Sequence, residues 1–329
     1  MNILIDTLGS ERGVAVAVEA GIRIQQEWGS SVIFVGPESD IRDICHRLGT
    51  DHDTGRVIDT REVIRMDEHA VEAVGRKTDA SIVLAVEAIR DGRGDALISP
   101  GHTGATVVAA RDILGLLPGV VRPGLSQILP ARAGKRFMLV DAGATVTVTA
   151  DDLALFGVMG RTAASILLGL PSPSVGLLNI GAEPGKGNRT LIDAYERLAR
   201  LGSSFIGNVE GHAMWQPAAD VVVTDGITGN IVIKSAEGLL DAVAAGIFRG
   251  TGGSPHEPLA RHFSRETYGG AMLLGVRGII GVCHGRASVE EMVRVAESVI
   301  RCTGCDGVGR MERGIRQALT STTNEEMGR

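Results

Sequence analysis

Aromatic residues are scarce in this chain, and their scarcity restricts the partners that it can bind. Phe, Trp and Tyr make up 3% of the 329 residues, so platforms on which nucleic-acid bases stack are not expected. Basic residues are outnumbered as well, because 33 Lys and Arg stand against 39 Asp and Glu, a formal net charge of -6. Nucleic-acid-binding domains usually carry a basic surface. We therefore exclude nucleic acid as a partner.

Cysteine and long hydrophobic runs are also rare. Four cysteines in a chain of this length do not form a disulfide framework. The Cys302 and Cys305 pair lacks two further ligands that a zinc site would need, so no metal is predicted. No stretch reaches the roughly 20 apolar residues of a membrane-spanning helix. The N-terminal residues MNILIDTLGSE contain no basic region of the kind that opens a secretory signal. We expect a cytoplasmic protein.

Glycine is abundant, with 45 residues, and it recurs directly after apolar runs. Four times an apolar run leads into a glycine-rich loop and then a predicted helix, with loops that begin at Ser99, Asp141, Gly181 and Asp225. An unbroken apolar run is typical of a buried parallel strand. Right-handed crossovers place the loops after such strands along one edge of the sheet, where ligands bind in open α/β folds.

Other elements are predicted from the same patterns. Strands are expected at 2–5, 31–35, 96–98, 125–129, 137–140, 175–180 and 220–223. Helices are expected at 13–28, 39–48, 68–76, 80–91, 230–247 and 289–301, with one more that ends near Gly115 and a long one, capped by Asp151 or Asp152, that ends at Leu170. Residues 249–258 are predicted to be a Gly/Ser/Pro/His-rich loop. One domain is predicted over residues 1–302, followed by a polar tail over 303–329.

The stretch from Ser174 to Asn230 concentrates the candidate chemistry. The run VGLLNI (175–180) is followed by GAEPGKGNRT (181–190), and DVVV (220–223) is followed by TDGITGN (224–230). Glycines after a strand let the backbone approach a ligand and turn N–H groups toward an anion. A helix that starts there adds the positive end of its dipole. Lys186 places an ammonium group in the first loop. These features predict a site for a small anion.

The loops resemble those of the phosphate acyltransferases of bacterial phospholipid synthesis, the PlsX family. The matching stretches lie in the family's order over about residues 1–300. They are LIDTLGS (4–10), VIRMDEHAVEAVGRKTDASIVLA (63–85), ISPGHTGA (98–105), VRPGLSQILP (121–130), LVDAGATV (139–146), VGLLNIGAEPGKGN (175–188), FIGNVEG (205–211), DVVVTDGITGNIVIKSAEG (220–238) and YGGAMLLGVRGIIGVCHG (268–285).

This resemblance implies a fold and a reaction. The fold is a three-layer α/β/α sandwich with a mostly parallel sheet, related to isopropylmalate dehydrogenases and phosphotransacetylases, usually as a homodimer. The reaction transfers an acyl group from acyl carrier protein, or from acyl-CoA, to inorganic phosphate and gives an acyl phosphate and the free thiol, without a cofactor. Phosphate is already anionic at neutral pH, so the reaction needs positioning and stabilisation of an oxyanion rather than an activated side-chain nucleophile.

The candidate site residues follow from the resemblance and from this chemistry. Lys186 and Asn230 are carried over from the family's loop lysine and its DGxxGN loop as catalytic residues, and His102 or His284 can protonate the leaving thiolate. The candidates for phosphate and substrate binding are Asp6, Gly9, Gly101, Thr103, Gly104, Asp141, Gly143, Gly185, Gly187, Asn188, Asp225 and Gly229.

Each candidate also has a structural interpretation. Lys186 can be a solvated loop lysine, Asn230 can cap the helix that follows it, and His102 can be a cap or loop residue. Asp6, Asp141 and Asp225 end strands and can bond loop amides.

Three loops depart from the family's usual sequences. DTLGSE stands where DAMGGD is typical, SPGHTGA where SAGNTGA is typical, and GATVTV where GANVDC is typical. The changes place Ser10, His102, Thr145 and Thr147 in the candidate loops. A paralogue that uses another acyl group, carrier or nucleophile, and a non-catalytic subunit that binds acyl carrier protein, are therefore alternatives. A dehydrogenase ranks last, because no GxGxxG follows the first strand.

An acidic carrier protein requires a basic patch on this acidic chain. The candidates are Arg132, Lys135, Arg136, Arg261 and Arg265, and scattered surface charge is the alternative interpretation. The region around 245–265, which forms an apolar hairpin for membrane contact in much of the family, is short and polar here. Membrane contact is therefore not expected.

Overall fold

The computed structural model describes residues 1–50, 56–216, 218–248 and 269–327. Contacts divide the chain into a first unit, Met1–Leu117 with Gly269–Val308, and a second unit, Pro118–Tyr268 with Gly309–Arg329. The domain boundary at residue 302 stays a prediction. The predicted loop at 249–258, together with Arg261 and Arg265, lies outside the described residues.

Strands and helices alternate along much of the chain. The strands are β1 (Asn2–Asp6), β2 (Ser31–Gly36), β3 (Val57–Asp59), β4 (Ala96–Ser99), β5 (Gly124–Pro130), β6 (Arg136–Val140), β7 (Val175–Asn179), β8 (Phe205–Glu210), β9 (Val221–Val223), β10 (Ala271–Leu274) and β11 (Ile279–Val282). The α-helices are α1 (Val14–Trp28), α2 (Glu38–Arg47), α3 (Ala70–Arg76), α4 (Ser81–Arg90), α5 (Thr103–Ala109), α6 (Ala150–Leu167), α7 (Arg189–Leu198), α8 (Gly226–Phe248), α9 (Val289–Gly304) and α10 (Gly307–Met327). A π-helix, Ala110–Leu114, continues α5, and 3₁₀ helices span Arg132–Gly134 and Ala199–Ser204.

In the first unit the strands follow the order β3-β2-β1-β4-β11-β10. All neighbours in this order are parallel except the β10–β11 pair. The apolar run at Ile3, Leu4 and Ile5 is fully buried at the centre of these strands, as expected for a strand with helices on both faces. The carboxyl ends of β1, β4 and β11 therefore lie side by side, and the loops that follow them share one edge.

In the second unit the order is β5-β6-β9-β7-β8. The β5–β6 pair is antiparallel and the other pairs are parallel. Helix α6 packs over β6 and β9, because Gly160 brings it against Val140 and Val221. The loops after β6, β9 and β7 consequently lie along one edge. The predicted α/β fold with mostly parallel strands is confirmed.

Several predicted boundaries differ from the structure. Thr149, not Asp151 or Asp152, caps α6, and Asp152 completes a capping box with it. Helix α8 begins at Gly226 rather than at residue 230. Residues 307–327, predicted as a polar tail, form α10. Their polar composition hides the helix because, among the side chains described up to Thr320, few are buried, Met311 and Ile315 among them.

Two glycines test how tightly the first unit is packed. A Cβ at Gly21 in α1 would overlap the Phe34 ring, whereas a Cβ at Gly75 in α3 would meet nothing within 4 Å. We expect Gly21→Ala to lower the free energy of unfolding by about 1–3 kcal/mol through overpacking. Gly75→Ala should raise it by about 0.5–1 kcal/mol, because alanine stabilises a helix interior. Urea unfolding monitored by circular dichroism measures both, and shifts of the same sign would contradict this packing.

Candidate functional site

Asp141 organises the loop after β6. The carboxylate is fully buried. Its Oδ1 accepts hydrogen bonds from the backbone N–H groups of Leu125 (2.9 Å), Gly143 (3.0 Å) and Ala144 (2.9 Å), and its Oδ2 accepts one from Thr145 (2.7 Å). Burial raises the pKa of Asp141 above its usual value, and the four N–H donors oppose that rise. The N–H groups of residues 143–145 are therefore used within the loop itself.

The N-terminus of α8 packs directly on the Asp141 loop. A Cβ at Gly226 would lie 2.6 Å from the Thr145 carbonyl oxygen, and one at Gly229 would overlap the Asp141 carbonyl oxygen. Only glycine permits this approach. Asp225 caps the helix, because its Oδ1 accepts from the Thr228 N–H at 2.9 Å. Asp225 is half-buried, and this hydrogen bond gives its side chain a structural role.

Asn230 lies one turn into α8 and does not cap the helix. It is exposed, and its side chain approaches Gly143, where a Cβ would lie 3.5 Å from the Asn230 Cβ. The structure therefore brings Asp141, Gly143, Asp225, Gly229 and Asn230 together in the second unit. Asn230 presents an amide beside the Asp141 loop.

Two asparagines hold the loop that carries Lys186. The Asn179 Nδ2 donates to the Lys186 carbonyl at 3.0 Å and to Asn208 Oδ1 at 3.2 Å, and Asn179 Oδ1 accepts from the Ile180 N–H at 2.8 Å. Asn208 Nδ2 donates to the Glu183 carbonyl at 2.7 Å. Gly187, with φ +92°, fits against the Asn179 side chain, where a Cβ would collide. These side-chain hydrogen bonds therefore hold the backbone around Lys186 in place.

The Lys186 side chain itself is 49% exposed, and its Nζ lies 4.0 Å from Glu183 Oε2. Gly185 has open space around it, and Asn188 caps α7 by accepting from the Leu191 N–H at 3.0 Å. The Lys186 loop and the Asp141 loop follow strands separated by β9. They are therefore roughly 10 Å apart along the edge, at about 4.8 Å per strand.

Asn179 and Asn208 are the supporting residues that the sequence analysis did not single out. A signal was present, because asparagine is depleted in strands and Asn179 ends an apolar one. The predicted strand 175–180 includes Asn179 without giving it a role of its own.

The first unit builds its own loop cluster around Asp6. The buried Asp6 carboxyl accepts from the Gly9 N–H at 3.2 Å and from the Ser99 hydroxyl at 3.1 Å. A Cβ at Gly9 would lie 2.6 Å from the Gly101 Cα, so the two loops touch through backbone. Burial raises the pKa of Asp6. Like Asp141, Asp6 serves the loop backbone.

His102 uses both ring nitrogens inside the first unit. Its Nδ1 accepts from the Ala105 N–H at 3.3 Å and caps α5, so its Nε2–H donates to the Glu68 carbonyl at 3.1 Å. Thr103 is the first residue of α5, and Gly104 lies against the His102 ring. This geometry matches the capping interpretation of His102.

His284 follows β11, next to the loop after β4. The strands align Val282 with Ser99, and the Glu11 N–H donates to the Gly285 carbonyl at 2.8 Å. The His284 ring is exposed, and its Nδ1 accepts from the Arg286 N–H at 3.2 Å. Asp6, Gly9, Gly101, His102 and His284 thus lie on neighbouring loops of one edge.

The residues that depart from the family pattern occupy different environments. Ser10 is buried and its hydroxyl accepts from the Arg12 N–H at 3.2 Å, and the Thr145 hydroxyl donates to the Pro123 carbonyl at 3.0 Å. Thr147 is exposed. Two of the changes therefore support the loop backbone.

The described residues contain no group of three His, Cys, Asp or Glu side chains that could hold a metal ion. Cys302 is buried and Cys305 is exposed at the end of α9. Within the described ranges, every helix is too short or too polar to cross a bilayer.

Comparisons with known proteins agree on one family. A family model described as "Fatty acid synthesis protein" matches residues 1–303. The phosphate acyltransferase of Desulforamulus reducens is 36% identical over 345 aligned positions, which cover 100% of this chain and 99% of that protein. The phosphate acyltransferase of Desulforudis audaxviator is 37% identical and covers 92% of this chain and 93% of its own.

A solved structure with a similar fold is a phosphotransacetylase from Streptococcus pyogenes. Its TM-score is 0.64 at 18% sequence identity, and the match covers 91% of this chain and 93% of the other. At this identity the likeness concerns the fold alone.

The pH dependence of stability tests the environment of Glu68, whose backbone carbonyl accepts the hydrogen bond from His102. Hydrogen bonds from Lys77 and from the Arg65 N–H lower the pKa of Glu68 from 4.5 to about 2. Because the folded pKa is depressed, this carboxylate stabilises the fold above pH 4.5 and loses that effect as the pH falls toward 2. We expect Glu68→Gln to lose less stability than wild type between pH 4.5 and 2, measured by urea unfolding. Glu72→Gln, at an exposed position of α3, is the control, and equal acid sensitivity of Glu68→Gln and wild type would contradict the assignment.

Proposed function

We propose that this chain, which belongs to the fatty acid synthesis protein family, transfers an acyl group from a thioester to inorganic phosphate. It is an enzyme of the phosphate acyltransferase type, as the resemblance of its loops predicts. Full-length relatives with that name support the assignment. The observation in the structure that best supports it is the set of loops after β6, β9 and β7, which share one edge of the second unit and carry Lys186 and Asn230.

The reaction needs no activated side chain. A phosphate oxygen attacks the thioester carbonyl carbon, the carbonyl electrons form an oxyanion, and the C–S bond then breaks as the oxyanion collapses. The products are an acyl phosphate and a thiolate, which takes a proton from water or from a neighbouring acid. What the protein supplies is a fixed geometry and positive charge where the oxyanion forms.

Lys186 is the group that we assign to this charge. Its ammonium is half exposed, and its Nζ lies 4.0 Å from Glu183 Oε2, too far for a tight ion pair. The ammonium can therefore turn to a phosphate or an oxyanion. Asn179 and Asn208 hold the backbone that carries it.

We assign Asn230 to donating a hydrogen bond to the thioester carbonyl or to the phosphate. Its amide can donate from the second turn of α8, where the helix dipole favours negative charge. Two apolar side chains are exposed at this same edge. Val146, in the loop after β6, is 70% exposed, and Ile180, directly after β7, is 80% exposed. They can contact the apolar part of an acyl thioester.

The first-unit loops take positioning roles in this proposal. His102 and Asp6 hold the backbone after β4 and β1, and their hydrogen bonds are made within the protein. That His284, whose ring is exposed on the first unit, protonates the leaving thiolate stays a prediction. The donor is acyl carrier protein or acyl-CoA, and the setting is the cytoplasm.

The role of Lys186 is tested with a matched lysine. Lys186→Ala should lower phosphate-dependent thiol release from an acyl thioester by roughly 10²–10³-fold, the usual effect of removing one oxyanion-stabilising group. Lys234→Ala is the control, because Lys234 is 48% exposed and also pairs with a glutamate three residues away. Thiol release is followed with a chromogenic disulfide, and the acyl phosphate is trapped with hydroxylamine.

Two results would count against this assignment. Equal rates for Lys186→Ala and Lys234→Ala would remove Lys186 from the chemistry. Thiol release by the wild type that is independent of phosphate would show that phosphate is not the nucleophile.

We also propose that the enzyme is a homodimer. Helix α8 exposes the apolar side chains Ile227 (48%), Ile231 (58%) and Leu239 (66%), and exposed apolar groups on one element are typical of interaction surfaces. Sedimentation velocity should give twice the chain's 34.4 kDa for the wild type. Ile231→Glu should shift the protein toward the monomer, and a wild-type monomer at micromolar concentration would contradict the proposal.

A further inference from the structure

A groove of about 780 Å³ runs along α6 in the second unit. We name it the α6 groove. Its floor is the outer face of α6 from Asp151 to Ser165, a length of about 21 Å at 1.5 Å per residue. Leu155 and Val158, each 9% exposed, form an apolar strip along that floor.

Arginines line both walls and the floor of the α6 groove. One wall is the end of α7 and the turn after it, and the other is α10, which crosses α6 where Gly314 meets the Thr162 hydroxyl. The arginines that line the groove are Arg122, Arg161, Arg197, Arg200, Arg310 and Arg313.

The charge of the groove is opposite to that of the whole chain. Six arginines and two aspartates line it, a formal excess of four positive charges (six minus two), whereas the chain carries -6. Asp151 is paired with Arg197 at 2.5 Å, and Asp152 lies 3.4 Å from Arg122. The Arg122 atom in this ion pair is its buried Nε, which makes no hydrogen bond within the described residues. Guanidinium groups bind carboxylates through paired hydrogen bonds, so the groove fits an acidic partner.

We propose that the α6 groove docks an acidic amphipathic helix of the acyl carrier protein that presents the thioester. The apolar face of that helix lies on Leu155 and Val158, and its carboxylates meet the arginines of both walls. A groove of this length with an apolar floor is the shape that holds an amphipathic helix. The inference rests on the proposed function, because it takes the carrier protein as the acyl donor.

The groove also begins close to the candidate loops. Thr149, which lines the groove and caps α6, lies four positions after Thr145 in the Asp141 loop. Four residues span at most roughly 14 Å. A flexible arm on a carrier docked at this end therefore needs to cross only a short distance to the loop edge.

The basic patch expected from the sequence is less well placed. Arg132, Lys135 and Arg136 lie at the start of β6, whereas Asp141 follows its end. A strand of five residues separates them from the loop edge, roughly 17 Å at 3.3 Å per residue. We therefore assign carrier docking to the α6 groove.

The test compares two donors and three charge reversals. The variants are Arg161→Glu on α6 and Arg313→Glu on α10, with Arg316→Glu as the control. Arg316 lies on α10 outside the groove and is 71% exposed. Turnover is measured with acyl carrier protein thioester and with the CoA thioester of the same acyl group, and binding of labelled, non-acylated carrier protein is measured by fluorescence anisotropy.

We expect the two groove variants to raise KM for the acyl carrier protein, and Kd for the carrier, by about tenfold or more. Their kcat/KM with acyl-CoA should stay within about twofold of wild type, and Arg316→Glu should behave as wild type with both donors. The wild-type Kd should rise with salt, because exposed charges are screened.

Three outcomes would overturn the docking inference: carrier binding that is unchanged in both groove variants, equal losses with both donors, or a wild type that uses acyl-CoA and does not bind the carrier. A wild type that turns over neither thioester, but binds the carrier through these arginines, would overturn the proposed function and support the docking site.

Discussion

The buried carboxylate of Asp141 is the interaction on which the candidate site depends. It accepts four backbone hydrogen bonds and so defines the path of residues 141–145. Each buried N–H left without a partner would cost about 1–3 kcal/mol. The glycines at the start of α8 pack against this loop, and their packing sets the position of Asn230. One acidic side chain thus places a strand end, a loop and a helix N-terminus.

This arrangement changes how an anion can be recognised at the edge of the second unit. The N–H groups of residues 143–145 already bind Asp141, and the Thr228 N–H binds Asp225. Recognition by backbone alone is therefore limited in these two loops. Side chains with movable donors, the Lys186 ammonium and the Asn230 amide, are better suited to the task. That Gly143 and Gly229 contact a ligand stays a prediction.

The sequence predicted the strands and the edge loops well, because buried parallel strands and glycine-rich loops have strong local signals. Other features depend on partners distant in the chain. The start of α8 was misplaced because Gly226 and Gly229 suggest a loop, and their packing against Asp141 is a tertiary contact. Helix α10 was missed because it is mostly polar, and the α6 groove joins residues from Arg122 to Leu319.

The two asparagines that hold the Lys186 loop affect the entropy cost of binding an anion. Because Asn179 and Asn208 already hold the main chain there, binding an anion does not need to order that backbone, which would cost about 1–2 kcal/mol for each residue. Only the methylene chain of the lysine loses rotational freedom, at most about 2 kcal/mol. The conformational entropy lost when the anion binds is therefore confined largely to this one side chain.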